Sequence, residues 1–382
     1  MQIRLVPRQS PSQFMVYAAP IAAVLFTIVF GGLVFSLIDY DGVATVCGKK
    51  IGYNGFATVC EIFRAPIFGP SDKLDFSAWP DLWGKAAPLI IIAIGLSICF
   101  RANVWNIGAE GQYLVGALAG TGVALLTWEM EGWWILPLMC LAGALGGALY
   151  AAIPAFLRTR LQVNEILSSL MLTYVSLQLL YYLMNGPWKD PMGFGFPTTR
   201  MFNPSQILPE ILPYIHFGIP LAFFIALLAW LAMSRSVFGF QIRVAGAAPT
   251  AARYGGFNEK LTIWFALLIS GALAGLAGVF EAAGPFGQMT STFPAGYGFT
   301  AIIIAFLGRL HPVGIIFAGL VLAVSYVGGE IVQYKLGVPN AAVGVLQAMM
   351  LFSLLAMDVL IKSRIEITLP GGRVLGKQEG GE

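Results

Sequence analysis

Apolar residues in this chain come in long runs broken by short polar stretches. Ala86 to Phe100 holds no charged residue, and neither does Gly111 to Trp128. Runs near the ~20 residues needed to cross a hydrocarbon core read as membrane helices. The pattern predicts ten segments, at 14–38, 86–102, 108–127, 133–157, 165–185, 212–234, 261–283, 298–308, 312–333 and 340–361. The segment at 298–308 is too short to span alone. It is either half-buried by neighbours or continuous with the Gly- and Pro-broken stretch before it. No small-residue cleavage site follows the first segment, which therefore reads as an uncleaved anchor.

Composition fixes the class. Of 382 residues, 58% are apolar and 11% charged, against about a quarter charged in soluble domains. Only lipid can solvate that much apolar surface, so the expected fold is an all-α polytopic membrane protein. The net charge of +3 gives no electrostatic case for nucleic acid. With the N-terminus inside, 14 of the 22 Lys and Arg residues are inner, including Arg158, Arg160, Arg235, Arg243, Arg253 and Lys260. The outer turn Glu129–Glu131 is acidic and flanked by Trp128, Trp133 and Trp134, as an aromatic belt would be. An even number of spans puts both termini in the cytoplasm. The expected organisation is a cytoplasmic N-terminus (1–13), one transmembrane domain (14–362) and a solvated tail (363–382). Residues 39–85 and 186–211 form outer loops, and 235–260 forms the longest inner loop.

Cys99 and Cys140 fall in spans, where they pack. Cys47 and Cys60 share the first outer loop, a compartment that permits disulfides; a pair and two free thiols are both open readings. "GALAG" occurs at 116–120 and again at 271–275, and "LAGALGGALYAA" (141–152) resembles "GALAGLAGVFEAA" (271–283). Small residues four apart, as in Gly116/Gly120, Gly143/Gly147 and Gly271/Gly275, suit tight helix seams. An internal repeat is the alternative reading. "GGRVLGKQ" mimics a phosphate loop, but Gln378 stands where a Ser or Thr must hold magnesium. His216 and His311 lie far apart, and no cysteine pair has metal-ligand spacing, so neither a metal site nor a cofactor is expected.

Two polar islands remain. "NVWNIGAEGQ" (103–112) sits between two apolar runs and combines Asn103, Asn106, Glu110 and Gln112 with Gly108 and Gly111. It reads as a helix break, where irregular backbone at membrane depth must be buried in protein or line water. Glu110 falls in the first turn of the next helix, where negative charge is favoured. Glu165, Glu281, Glu330 and Asp358 are the other acids in or beside spans, positions that face a bundle interior or a headgroup layer. The second island is the inner loop. There Pro249 can start a short helix and Gly255–Gly256 can stop it, leaving "TAARY" as a docking knob or a connecting turn.

Four motifs carry a resemblance: "FRANVWNIGAEGQ" (100–112), "GAAPTAARYGG" (246–256), "SGALAGLAGVFEAAG" (270–284) and "GYGFTAIIIAFLGRLHPVG" (296–314). In this order they resemble the permease subunit of bacterial ABC importers, in the class of branched-chain amino acid and ribose permeases. The first and last are most similar to its nucleoside and simple-sugar branch. The resemblance implies a multi-pass protein of the bacterial cytoplasmic (inner) membrane that moves substrate unchanged, with ATP hydrolysed on another chain. It implies three partners: a cytoplasmic ATPase, a second permease, similar or identical, and an extracytoplasmic substrate-binding protein. The inner-loop helix would then be a coupling helix, carried by Gly246, Pro249, Thr250, Ala251, Ala252, Arg253, Tyr254 and Gly255. A nucleoside pathway calls for amides and aromatics, which Asn103, Asn106, Gln112, Phe286 and Tyr297 can supply. Glu110 and Glu165 join that pathway set, as does Thr173, which stands where the family pattern has Asn. A simple-sugar permease is the alternative within the family. A proton-coupled carrier using Glu110 or Glu165 is the alternative outside it. An intramembrane enzyme is disfavoured for want of catalytic groups.

The orientation is testable. An impermeant thiol reagent should label Cys47 or Cys60 in intact cells after reduction. Labelling that appears only once the membrane is broken overturns it.

Overall fold

The computed structural model describes residues 2–7, 13–36, 43–46, 49–52, 55–69, 78–212, 215–293, 296–336, 340–368 and 374–375. These residues form helices α1 (Gln13–Ser36), α2 (Gly55–Phe68), α3 (Trp79–Arg101), α4 (Ala109–Leu126), α5 (Ile135–Leu161), α6 (Glu165–Asn185) and α7 (Gly218–Arg235). Then follow α8 (Val237–Ala247), α9 (Pro249–Tyr254), α10 (Glu259–Glu281), α11 (Tyr297–Leu307), α12 (Pro312–Leu336) and α13 (Asn340–Lys362). Six helices among the described residues, α3, α5, α6, α7, α10 and α12, are long and apolar enough to cross a membrane. The stretch at 298–308 is, as its length foretells, the half-length helix α11. The chain divides into two compact units, Pro66–Val327 and Met1–Ala65 with Gly328–Glu382.

Within the larger unit, α3 is the axial helix. In its most apolar window 83% of residues are buried, against 22% in α6 and in α7, whose outer faces are apolar and exposed. Helix α10 packs beside it, and α4, α5 and α10 pack on one another through glycine seams. A Cβ on Gly116 would lie 2.1 Å from the Gly275 Cα, and one on Gly147 would lie 2.1 Å from the Gly271 carbonyl oxygen. The two "GALAG" stretches therefore face each other, which is the packing use expected of them. Lipid offers no hydrophobic drive between helices, so close backbone approach supplies the contact.

In the smaller unit, α1 packs on α13. Phe35, Val59, Ile62, Val332 and Leu346 form its apolar core, and the Thr27 hydroxyl lies 3.2 Å from that of Ser353. Glu61 is buried and paired with Lys335 at 3.2 Å and Arg64 at 3.5 Å. Cys60 is a free exposed cysteine on α2, and Cys47 lies outside the described residues.

Four expectations are corrected. The outer loop at 39–85 holds a 14-residue helix, α2, and the start of α3, which begins at Trp79 because Pro80 suits a first helical turn. The segment expected from 212 opens instead with Glu210–Leu212 paired to Ile215–His216, and α7 starts only at Gly218. The inner loop carries two helices rather than one. Ser236 caps α8, its hydroxyl accepting from the Gly239 N–H at 3.1 Å. The expected tail at 363–382 opens with a strand: Ser363–Thr368 pairs antiparallel with Gln2–Pro7. The alternation of "SRIEIT" and the β-branched Ile365 and Ile367 favour that strand.

Candidate functional site

The polar turn at 102–108 leads from α3 into α4. Asn106 and Gln112, both fully buried, bond reciprocally. Asn106 Nδ2 donates to Gln112 Oε1 at 2.8 Å, and Gln112 Nε2 donates to Asn106 Oδ1 at 3.1 Å. Asn106 Nδ2 also reaches the Ser270 hydroxyl of α10 at 3.0 Å. Buried amides satisfied this completely hold a turn in one conformation.

Glu110, 1% exposed, is the keystone. Its Oε1 accepts the Gly296 N–H and its Oε2 the Gly298 N–H, each at 2.6 Å. These amides belong to the start of α11, a helix that begins inside the protein and whose first N–H groups have no carbonyl of their own. The carboxylate supplies the missing acceptors and its charge suits a helix N-terminus. Glycine is required at both positions. Gly296 has φ 101°, and a Cβ on Gly298 would fall 2.3 Å from the Glu110 nitrogen.

Aromatic rings surround this clasp. Tyr113 stacks on Phe293 with centroids 5.4 Å apart and meets Tyr297 at 5.9 Å. Phe293 touches Phe286 at 5.8 Å, and Tyr297 touches Tyr326 at 5.4 Å. The Tyr297 hydroxyl donates to Glu281 Oε1 at 3.4 Å, and the Thr300 and Tyr326 hydroxyls lie 2.8 Å apart. Tyr113 is fully buried, and its hydroxyl has no partner among the described residues. The α10 helix loosens here into one π-turn, Ala282–Phe286, a feature that recurs at functional sites. Residues 199–208 strap over it: the Thr199, Phe202 and Leu208 amides donate to the Met289, Gly287 and Ala283 carbonyls at 2.8–2.9 Å.

The structure thus gathers Asn106, Glu110, Gln112, Phe286 and Tyr297. Thr173 is adjacent: it packs on Gly111, and its hydroxyl is spent on the Ser169 carbonyl of its own helix. Asn103 and Glu165 lie elsewhere. Asn103, exposed with φ 55°, lines a small cleft with Pro249 and Glu259. Glu165 pairs with Arg158 and accepts the Trp105 N–H at 3.4 Å. Both are beside the inner loop, where Arg158, Gln162, Asn164, Glu165, Arg253 and Lys260 line a cleft of about 430 Å³. Tyr113, Ser270, Phe293 and Tyr326 were missed. Tyr113 directly follows Gln112, and one turn of helix separates Tyr297 from Thr300, so only the partners across helices were invisible.

The inner-loop element is α8 followed by α9. Pro249 occupies the first turn of α9, and the Gly255 N–H closes it on the Ala251 carbonyl at 2.9 Å. Thr250, Ala251 and Gly255 are exposed, and Tyr254 is 95% exposed. Ala252 points inward and is buried. Arg253 Nε donates to Glu259 Oε2 at 2.9 Å, which ties α9 to the first turn of α10. Gly246 faces the body: a Cβ there would lie 2.0 Å from the Arg101 carbonyl oxygen.

Removing the clasp leaves two buried amides without acceptors, each a loss of about 1–3 kcal/mol. Glu110→Ala should therefore lower the amount of folded permease or its uptake by about tenfold or more. Glu129→Ala, in an exposed turn, should leave both near wild type. Wild-type uptake and folding in both variants would remove Glu110 from the site.

Comparison with known proteins places this architecture. Residues 81–355 match the family model described as branched-chain amino acid transport system / permease component. The chain is 33% identical to a glucose ABC transporter permease protein of Haloferax volcanii, over 96% of this chain and 94% of that protein. It is 31% identical to a guanosine ABC transporter permease protein of Bacillus subtilis, over 70% of this chain and 78% of that one. A nucleoside ABC transporter permease protein of Lactococcus lactis is 26% identical over 76% and 81%. The chain belongs to this permease family: it is a multi-pass membrane transport component rather than an enzyme, with ATP hydrolysis carried by a partner subunit.

Proposed function

We propose that this permease imports nucleosides across the cytoplasmic membrane by alternating access, driven by an ATPase that docks on α9. The observation that carries the reading is the form of α9: a six-residue helix whose outward face is Thr250, Ala251 and Tyr254, with Ala252 buried beneath. Small residues allow close approach, and Tyr254 offers a broad amphipathic anchor of the type that concentrates binding energy. The preceding helix adds the exposed Val237 and Phe240. In this reading 14–362 is one permease domain crossing the membrane ten times, with both termini inside. A second, similar or identical permease completes the pathway, and an extracytoplasmic binding protein delivers the ligand.

Substrate class is supported by the cluster around Glu110. A nucleoside is a flat base joined to a ribose. Phe286 is the exposed ring of a cluster whose other rings, Tyr113, Phe293 and Tyr297, are buried; opening that cluster in the transport cycle would present ring faces to the base, and the Tyr113 hydroxyl and Glu281 to ribose hydroxyls. The guanosine and nucleoside permeases among its relatives point the same way. A simple-sugar permease is the second reading, favoured by the 33% identity and near-complete overlap with the glucose permease.

Two measurements test this. Ala251→Trp should insert normally, lose uptake and no longer co-purify with the ATPase. Uptake that persists in Ala251→Trp, or in a strain lacking every candidate ATPase subunit, would contradict the docking role. Uptake of a labelled nucleoside should be competed by other nucleosides and not by glucose; the reverse pattern would select the sugar reading.

A further inference from the structure

Half-helix α11 is held at both ends by one neighbouring stretch, residues 101–110. At its start Glu110 takes the Gly296 and Gly298 amides. At its far end Arg101 Nε donates to the Leu310 carbonyl at 3.0 Å. Leu310 sits in the sharp turn that joins α11 to α12, where Arg309 and Leu310 have φ 55° and 57°. The Leu310 N–H is engaged with the Ala305 carbonyl, so the turn is folded back on α11 itself. Between the two grips, Phe100 stacks on Phe306 at 5.0 Å and Trp105 lies 5.9 Å from the same ring. The same stretch abuts the inner-loop element. Gly246 of α8 meets the Arg101 carbonyl at a distance no larger residue allows, and Ile242 of α8 is buried in one apolar cluster with Ala102 and Val104.

We propose that Arg101 is a positioning residue of the transport stroke: it locks α11 to the 101–110 stretch, so that movement of α8 and α9 carries α11 with it. Tyr297, on the first turn of α11, and Tyr113, on α4, are thereby moved together against Phe293, on which Tyr113 stacks. The inference rests on the reading of α9 as the ATPase-docking element. It assigns the link between that element and the pathway to the Arg101–Leu310 hydrogen bond, the two Glu110–amide bonds and the close approach of Gly246. Packed interfaces of this kind shift between discrete arrangements rather than deform, which is how a small displacement at one end is delivered at the other. The link also explains why the loop turn and the polar turn carry small residues at their meeting point: a Cβ at position 246 would separate them.

The test uses the transporter purified with its ATPase and binding protein and placed in vesicles. Arg101→Met, which keeps the stem but has no N–H for the Leu310 carbonyl, should assemble and hydrolyse ATP within about twofold of wild type, yet move about tenfold less substrate per ATP hydrolysed. Arg101→Lys, which keeps a donor, should recover part of that ratio. A ratio in Arg101→Met equal to wild type would overturn the proposal. Spin labels on the exposed Val237 of α8 and Phe299 of α11, in a cysteine-depleted chain with Arg101 intact, give a reading that does not depend on the variant folding. Their separation should be the same in nucleotide-free and ATP-trapped states, and a change between the states would also overturn it. Ala251→Trp separates the two failures: if it keeps its ATPase the docking reading falls, whereas if it loses the ATPase and Arg101→Met transports normally only the link falls.

Discussion

A backbone amide at membrane depth must find an acceptor within the protein, and this fold is organised around meeting that demand at α11. The helix starts in the interior, so its first amides face no carbonyl. Glu110 answers with both carboxylate oxygens at 2.6 Å. That one contact dictates its surroundings. It requires glycine at 296 and 298, fixes the start of α4 against the start of α11, and places Tyr297 beside Tyr113. The paired amides of Asn106 and Gln112 then hold the turn that presents the acid. An intramembrane acid in a carrier invites reading as a proton site. Here both oxygens are occupied by structure.

The glycine seams make such a fixed interior feasible. Helices α4, α5 and α10 approach until backbone touches backbone at Gly116, Gly147, Gly271 and Gly275. Contacts this close leave little room for sliding between α4, α5 and α10. Helix α11 is joined at both ends to residues 101–110, the stretch that meets α8. The polar interior and the exposed α8–α9 element thus both pack on residues 101–110.

Much of this was legible in the chain. Charge-free runs located the long helices, with the starts of α3 and α7 displaced to Trp79 and Gly218, and the shortness of 298–308 foretold a half-helix. Pro249 and Gly255–Gly256 bounded α9 correctly, because proline and glycine act through local backbone geometry. Glu110, Asn106 and Gln112 stood out because polar residues inside apolar runs need partners. Their partners did not stand out: Ser270, Gly296 and Gly298 are remote in sequence, and backbone donors leave no mark on composition. Asn103 and Glu165 share the residue types of the cluster but lie at the inner-loop end, a distinction that only helix register supplies. Helix α8 was hidden because "VFGFQIRVAGA" mixes apolar and basic residues like a connecting loop. The strap over the π-turn was hidden although "NPSQ" (203–206) carries a capping box.

The central claim is that Glu110 is a structural clasp in an ATP-driven permease and not the proton site of a carrier. Uptake of labelled nucleoside into vesicles holding the complete transporter, with ATP supplied and a protonophore added, addresses it most directly. The account predicts uptake that requires ATP and is unchanged when the proton gradient is collapsed. Uptake that follows the proton gradient and proceeds without ATP would contradict it.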